Sequence, residues 1–184
     1  MIQLLAISGS LRSGSSNTAV LRAAAALAPD DVTVTLYEQL GELPPFNPDL
    51  DASSLSPPTA VATFRRLLKD AGCVLISSPE YAHGVPGVMK NALDWIVSSG
   101  EFMGKPVGLI TTSAHARHAP AQLAETLSVM MAVVVAGASP TVPLSRNAID
   151  PAAIVADAEH ADAVRDAVAA LAREVRSRTS SSGL

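Results

Sequence analysis

The chain of 184 residues is 48% apolar and 16% charged, and its formal net charge is −4. This length supports one substantial hydrophobic core, and the acidic balance without a run of basic residues argues against a nucleic-acid partner. The longest apolar stretch, residues 129–138, is shorter than the roughly 20 residues of a membrane-spanning helix. We therefore expect a soluble protein of one domain that does not enter a membrane.

The sequence contains a single cysteine, Cys73. One cysteine cannot form an intrachain disulfide, and the first residues, MIQLLAIS, lack the charged region with which a signal peptide begins. These features predict a reducing, cytoplasmic location. Cys73 opens an apolar run and has no acid or base partner nearby in sequence, so we expect it to belong to the core.

Short apolar runs bounded by turn residues are typical of β-strands. Four such runs cover residues 2–8, 32–37, 73–77 and 107–111, and a fifth strand is predicted within 132–142. The first, third and fourth runs are almost continuously apolar, as in parallel strands that are covered on both faces. The second run alternates, as a more peripheral strand would.

Between these runs, apolar residues recur at helical spacing. The pattern predicts helices near residues 20–27, 58–70, 88–96, 119–131 and 152–177. Alternating strands and helices indicate a doubly wound parallel sheet with right-handed crossovers. Ligands bind such sheets outside the carboxyl ends of the strands, so the loops after the first, third and fourth strands are the candidates for a site.

The loop after the first strand reads GSLRSGSSNT and leads into a helix. A helix N-terminus offers unpaired N–H groups to a phosphate, and this loop adds hydroxyl groups and one guanidinium. Gly9 and Gly14 permit tight backbone turns, and Asn17 is predicted as the helix cap. The predicted phosphate-binding residues are Ser10, Arg12, Ser15, Ser16, Asn17 and Thr18.

Two common phosphate loops do not fit this segment. Ser15 stands where the nucleoside-triphosphate loop G-x-x-x-x-G-K-[ST] requires lysine, and Leu11 stands at the second glycine of the dinucleotide pattern G-x-G-x-x-G. The sequence therefore favours a site for a single phosphate group. A capped surface loop with an exposed arginine is the alternative.

Together, the first loop and the segment after the third strand resemble the NAD(P)H-dependent FMN reductases of the flavodoxin-like superfamily. That family carries G-S-x-R-x-x-S-x-N in the first loop and P-E-Y-N-x-x-x-P-G-x-x-K-N-A-L-D-W in the second. Residues 79–95 match every specified position of the second motif except Ala82, where the family has asparagine. The first motif is matched by Gly9, Ser10, Arg12, Ser15 and Asn17.

The resemblance implies a flavodoxin-like three-layer sandwich around a five-stranded parallel sheet of order 2-1-3-4-5. It implies bound FMN, with NADPH or NADH as co-substrate, and hydride transfer to a flavin, quinone, azo dye or metal oxyanion. It also implies a homodimer or homotetramer, in which the helix that ends the second motif often pairs with its copy in another subunit. Lys90, Asp94 and Trp95 on this helix are expected to serve in packing, in a pair along the helix or in this interface. We expect this domain to span residues 1–178, and the small polar residues 179–184 to form a disordered tail.

By this resemblance, the second motif lies beside the flavin, with Tyr81 as an aromatic wall. Ala82 lacks the side-chain hydrogen bond of the family asparagine, and His83 either substitutes for it or faces solvent. In the loop after the fourth strand, His115 and Arg117 either meet a co-substrate phosphate or a partner subunit, or have no direct role. The residues predicted to contact the cofactor here are Pro79, Glu80, Tyr81, Ala82, His83, Gly84 and Ser113.

We expect no catalytic side chain, because a flavin carries the hydride chemistry itself. The sequence has no G-x-S-x-G elbow, and no Cys, Asp or Glu close to His115 and His118 completes a metal site. Two other functions remain open: a flavodoxin-like electron carrier that serves a protein partner, and a flavin-binding sensor with slow turnover.

Overall fold

The computed structural model describes residues 1–52, 56–144 and 150–181. At its centre lies a parallel sheet of five strands in the order β2-β1-β3-β4-β5, as expected. Neighbouring strands are in register at Ile2 and Val32, Leu4 and Cys73, and Val74 and Val107. The strands are β1 (Ile2–Ser8), β2 (Val32–Tyr37), β3 (Cys73–Ser77), β4 (Pro106–Ile110) and β5 (Val133–Val134).

Helices cover both faces of the sheet. The alternation of side chains along β1 directs Leu5 and Ile7 into one apolar cluster and Leu4 and Ala6 into the other. The helices are α1 (Ser16–Leu27), α2 (Thr59–Asp70), α3 (Gly87–Asp94), α4 (His118–Val129), α5 (Pro151–Ala156) and α6 (Ala158–Ser181). The first cluster includes residues of α2, α3 and α4, and the second includes residues of α1, α5 and α6.

The long C-terminal helix predicted for residues 152–177 is in fact two helices. Asp157 has extended dihedral angles (φ −84°, ψ 117°) that end α5. Its Oδ1 then accepts a hydrogen bond of 2.9 Å from the N–H of His160 and so caps the start of α6. The aspartate breaks the helix because a capping conformation competes with continued helical turns.

The boundary between domain and tail also differs from the expectation. Helix α6 continues through Ser181, three residues beyond the predicted end of the domain at 178. Residues 182–184 of the predicted tail lie outside the described residues.

The segment after β2 is held against α3 by side chains of the second motif. Asn91 Nδ2 and Trp95 Nε1 both donate to the carbonyl of Pro44, at 3.0 and 2.8 Å, and Asn91 Oδ1 accepts from the N–H of Phe46 at 2.7 Å. Trp95 is fully buried. These motif residues therefore shape the fold around the site, which agrees with the packing role expected for Trp95.

Lys90 and Asp94 lie one helical turn apart on α3 and form an ion pair within that helix. Over the described ranges, no helix has the length and apolar character that crossing a membrane requires.

Candidate functional site

A cavity of about 830 Å³ opens at the carboxyl ends of β1, β3 and β4. The strand order reverses between β1 and β3, which is where doubly wound sheets bind their ligands, and the volume is typical of cofactor sites. Nine of the predicted site residues line it: Ser10, Arg12, Ser15, Ser16, Asn17, Pro79, Glu80, Tyr81 and Ser113.

Four predicted site residues, Thr18, Ala82, His83 and Gly84, do not line this cavity. The hydroxyl of Thr18 instead lies 2.9 Å from Ser8 Oγ and so holds the start of α1 to the end of β1. Thr18 thus supports the first loop from behind, because its side chain points from the helix toward the strand.

Ser15, at the end of the first loop, is the N-cap of α1. Its Oγ accepts a hydrogen bond of 3.4 Å from the N–H of Thr18. The prediction that Asn17 caps the helix is therefore wrong. Asn17 lies inside the first helical turn, and its side chain serves a different purpose.

Asn17 connects three elements beneath the cavity. Its Oδ1 accepts hydrogen bonds from Ser77 Oγ at 2.9 Å and from Thr112 Oγ1 at 3.3 Å. Ser16 Oγ also lies 3.0 Å from Thr112 Oγ1. The N-terminus of α1 is thereby held in place over the ends of β3 and β4.

Gly9 is required by a close approach of two loops. A Cβ at this position would lie 2.2 Å from Ser78 Oγ, and the Gly9 N–H donates to the carbonyl of Ser77 at 2.8 Å. A side chain here would push the first loop away from the end of β3. The glycine therefore keeps the two sides of the cavity together.

Arg12 lies at the mouth of the cavity with an exposed side chain. Within the ranges that the structure describes, no carboxylate forms an ion pair with it, in contrast to Arg22, which pairs with Glu38 at 2.7 Å. Its guanidinium is available to an anion. With the hydroxyls of Ser10 and Ser16 and the N-terminus of α1, it forms a site that suits a phosphate group.

Glu80 ties the second loop to the loop after β4. Its Oε2 accepts the backbone N–H groups of Arg117, His118 and Ala119 at 2.9, 2.7 and 2.9 Å. These hydrogen bonds, that of Ala119 above all, lower the pKa of the Glu80 carboxyl. The carboxylate therefore acts as the N-terminal anchor of α4, while the residue still forms part of the cavity wall.

After Glu80 the chain makes a tight turn. The N–H and C=O groups of Tyr81 and Gly84 pair in both directions, at 3.0 and 2.9 Å, around Ala82 (φ 49°) and His83 (φ 61°). Two positive φ angles in succession define a type I′ turn, which favours asparagine and glycine. The positive φ angle explains why the family has asparagine at the position of Ala82, because asparagine adopts this backbone conformation more readily than alanine.

Because of this turn, the side chain of Tyr81 is 59% exposed at the edge of the cavity. The ring of His83 lies against the ring of His118, with centroids 4.3 Å apart and planes inclined by 22°. His115 lines the cavity, whereas Arg117 does not and contributes its N–H to Glu80.

Sequence reasoning missed part of the cavity wall. The polypeptide after β5 returns beside β4, where the N–H groups of Val142 and Leu144 donate to the carbonyls of Thr111 and Thr112 at 2.8 and 3.0 Å. Only the position of Thr111 and Thr112 at the end of a predicted strand could have signalled their role. The missed residues are Gly14, Ser78, Thr111, Thr112, Ala114, Ala116, Pro143 and Leu144.

The site fits a phosphorylated aromatic ligand. One end carries the anion-binding groups around Arg12 and the N-terminus of α1, and the other carries the exposed ring of Tyr81. Polar loops and the apolar side chain of Leu144 share the wall between them. The fold and this cavity define a flavodoxin-like protein with a pocket for such a ligand.

The chain belongs to the NADPH-dependent FMN reductase family, which it matches over residues 2–147. It is 42% identical over 115 residues to an NAD(P)H-dependent FMN reductase of Pseudomonas aeruginosa and 34% identical over 115 residues to a quinone reductase of Escherichia coli K12. Each alignment covers 61% of this chain and 60% of the relative, which is less than two thirds of the relative's length.

A solved structure extends the likeness to nearly the whole chain. The flavoenzyme FerB, an NAD(P)H:(acceptor) oxidoreductase from Paracoccus denitrificans, superposes with a TM-score of 0.77 at 26% identity. The superposition covers 96% of this chain and 98% of FerB. The predicted flavodoxin-like fold and family are confirmed.

Proposed function

We propose that this protein is an FMN-dependent oxidoreductase that takes hydride from NADPH or NADH and passes electrons to a small acceptor. The observation that carries the proposal is the cavity at the switch point of the sheet, with an anion site at the N-terminus of α1 and an aromatic edge at Tyr81. Membership in the FMN reductase family supports the same function.

The residues divide the binding task between them. The hydroxyls of Ser10, Ser15 and Ser16 and the guanidinium of Arg12 would hold the phosphate, since all lie in the first loop or at the start of α1. Pro79, Glu80 and Tyr81 would border the ring system, and Ser113 would lie near its polar edge. Asn17 would keep these two groups at a constant separation through Ser77 and Thr112.

When bound, FMN supplies the redox chemistry, accepting hydride from the nicotinamide and giving electrons to a flavin, quinone, azo dye or metal oxyanion. The chain's own contribution is to orient the ring, with the exposed Tyr81 leaving one side of the cavity open to small planar molecules. No acid or nucleophile of the chain is assigned to the reaction. The relatives named as quinone reductases favour a quinone as acceptor.

A spectrum of the purified protein tests the cofactor. We expect flavin absorption bands and release of FMN on denaturation. A protein that neither retains FMN nor binds it on titration would contradict the proposal.

Anaerobic mixing with NADPH separates the enzyme from an electron carrier. The enzyme becomes reduced without a partner reductase and turns over when benzoquinone is added, whereas a carrier stays oxidised. One reduction event with negligible cycling would instead favour the flavin-binding sensor.

We propose further that two copies associate through α3 and α4. An apolar cavity of about 310 Å³ lies at the ends of these helices, with the exposed side chains of Val97 and Val129 on its wall. The resemblance to FMN reductases implies that α3 pairs with its copy in a second subunit. Val129→Asp should shift the mass measured by light scattering toward the monomer, whereas Val155→Asp on α5 should leave it unchanged.

A cytoplasmic location completes the proposal. Cys73 is a free thiol and fully buried, which suits a protein that forms no disulfide. Fractionation of cells that carry a tagged copy tests this point.

A further inference from the structure

Beside the cavity, three potential metal ligands come together from two loops. Glu80 and His83 belong to the segment after β3, and His118 is the first residue of α4. Their ligand atoms, a carboxylate oxygen and one ring nitrogen from each histidine, all lie within 4.8 Å of one another. The cluster was not predicted from the sequence, because His118 lies 35 residues beyond His83 along the chain and only the fold brings them together.

Imidazole nitrogen with carboxylate oxygen is a typical ligand set of divalent transition metals, and two histidines with one glutamate leave a further position open. We propose that Glu80, His83 and His118 bind one such ion, with Zn²⁺ as the representative probe. This site shares Glu80 with the wall of the proposed flavin pocket, whereas His83 and His118 do not line that cavity.

The electrostatics of the cluster permit a cation. A helix N-terminus by itself repels positive charge, but Glu80 places an ionised carboxylate directly over the start of α4. All three backbone hydrogen bonds end on its Oε2. The carboxylate can therefore keep its anchoring role through Oε2 and offer Oε1 to the metal.

The geometry requires only a small adjustment. Ligand atoms around a tetrahedral Zn²⁺ lie about 3.4 Å apart, given bond lengths near 2.0 to 2.1 Å. The ligand atoms of the cluster lie within 4.8 Å of one another, and both imidazoles have exposed side chains that can turn out of their stack. Rotation of two rings at the surface closes the gap without moving the core.

A bound ion would tie the type I′ turn to α4. The turn carries Tyr81 at its start, so the metal would hold one edge of the cavity against the helix. Since the ion binds the folded arrangement of ligands, it would also raise the thermal stability of the protein.

Titration of the full-length protein with Zn²⁺, followed by calorimetry, tests the site. We expect one ion per chain, with micromolar or tighter affinity, and a rise in the melting temperature. Co²⁺ should produce visible absorption bands of a nitrogen- and oxygen-ligated ion. Neither measurement depends on FMN, so failure of the metal site and failure of the proposed reductase function are distinguishable.

Three variants make the test specific. His83→Asn keeps a residue that tolerates positive φ, and His118→Gln keeps a polar side chain at the helix start, yet each should weaken Zn²⁺ binding more than about tenfold. His160→Gln removes a histidine on α6 and should leave the affinity unchanged. Circular dichroism confirms that the variants are folded. Wild-type protein that binds no Zn²⁺, or an affinity that survives in both His83→Asn and His118→Gln, would overturn the proposal.

Discussion

Asn17 Oδ1 accepts a hydrogen bond of 2.9 Å from Ser77 Oγ across 60 residues of sequence. The same oxygen accepts from Thr112 Oγ1, and all three side chains are buried. One amide thus joins the first helix to the ends of two strands. The position of the first loop relative to the other cavity loops depends on it.

Asn17→Ala should lower the free energy of unfolding by about 1 to 3 kcal/mol, because it leaves two buried hydroxyls without their acceptor. It should also weaken FMN binding, since the helix N-terminus loses its connection to β3. Denaturant unfolding and flavin titration measure the two effects. Asn47→Ala is the control: it removes an exposed cap of a 3₁₀ turn, should cost about 0.5 to 2 kcal/mol of stability, and should leave FMN binding unchanged.

A double-mutant cycle with Ser77→Ala refines this test. Removing both partners leaves fewer unsatisfied groups, so the double variant should be more stable than the sum of the single effects by about 0.5 to 3 kcal/mol. Additive effects would show that the two side chains do not interact.

Arg12→Ala should weaken FMN binding by roughly 1.5 to 3 kcal/mol, the value of a charge-assisted hydrogen bond. That loss corresponds to about a ten- to 150-fold rise in Kd, measured by fluorescence titration of the flavin. Arg66→Ala is the matched control, because Arg66 is an exposed arginine on α2 that pairs with Asp70 at 3.8 Å. An unchanged Kd in Arg12→Ala would remove this residue from the phosphate site.

Ala82→Gly should raise the free energy of unfolding by about 0.5 to 1 kcal/mol, because glycine relieves a left-handed conformation that costs alanine about 1 to 2 kcal/mol. The same substitution at Ala62, exposed within α2, should lower it by about 1 kcal/mol. Opposite signs for one chemical change would be diagnostic of the positive φ of Ala82. Equal destabilisation would contradict the type I′ turn.

Cys73 should be unreactive in the folded protein. It is fully buried within the second apolar cluster, beside its strand partner Leu4, and burial raises the pKa of its thiol to about 12. Because the thiolate is the reactive form, a thiol reagent at neutral pH should titrate no group before unfolding and one group afterwards. Rapid labelling of the native protein would show that β3 is exposed.

Glu80→Gln should destabilise α4 in a pH-dependent manner. The folded protein lowers the pKa of this carboxyl through hydrogen bonds from Ala119, His118 and Arg117. The ionised carboxylate of Glu80 therefore stabilises the folded state fully above the ordinary glutamate pKa of about 4.3. This stabilisation is lost as the pH falls through the lower pKa of the folded state. The difference in melting temperature between wild type and variant should be largest near neutral pH and shrink on acidification. A difference that is constant with pH would contradict an ionised anchor.

The apolar runs and their spacing were sufficient to predict the strands, because burial on one or both faces of a sheet leaves a periodic signal in adjacent residues. The predicted positions of β1, β2 and β3 agree with the structure at both ends. Helix ends were less well predicted. The break at Asp157 and the cap at Ser15 depend on which of several polar side chains takes a local hydrogen bond, and the sequence offers more than one candidate.

The two motifs lie on loops that line the cavity at one edge of the sheet, but they do not account for every lining residue. Four predicted residues lie inside matching segments but do not line the cavity: Thr18, Ala82, His83 and Gly84. Conversely, Leu144 enters the wall through a parallel bridge beside β4 that no local pattern announces.

The sequence alone determined the alternating α/β architecture and the two loops that resemble FMN reductases, since each depends on residues that are neighbours along the chain. The tertiary structure decided that Asn17 joins three elements, that Glu80 anchors α4, and that His83 meets His118. These contacts connect residues 35 or more positions apart. They form only after the sheet has brought its strand ends together, so hydrophobic periodicity, which reports burial but not partners, cannot reveal them.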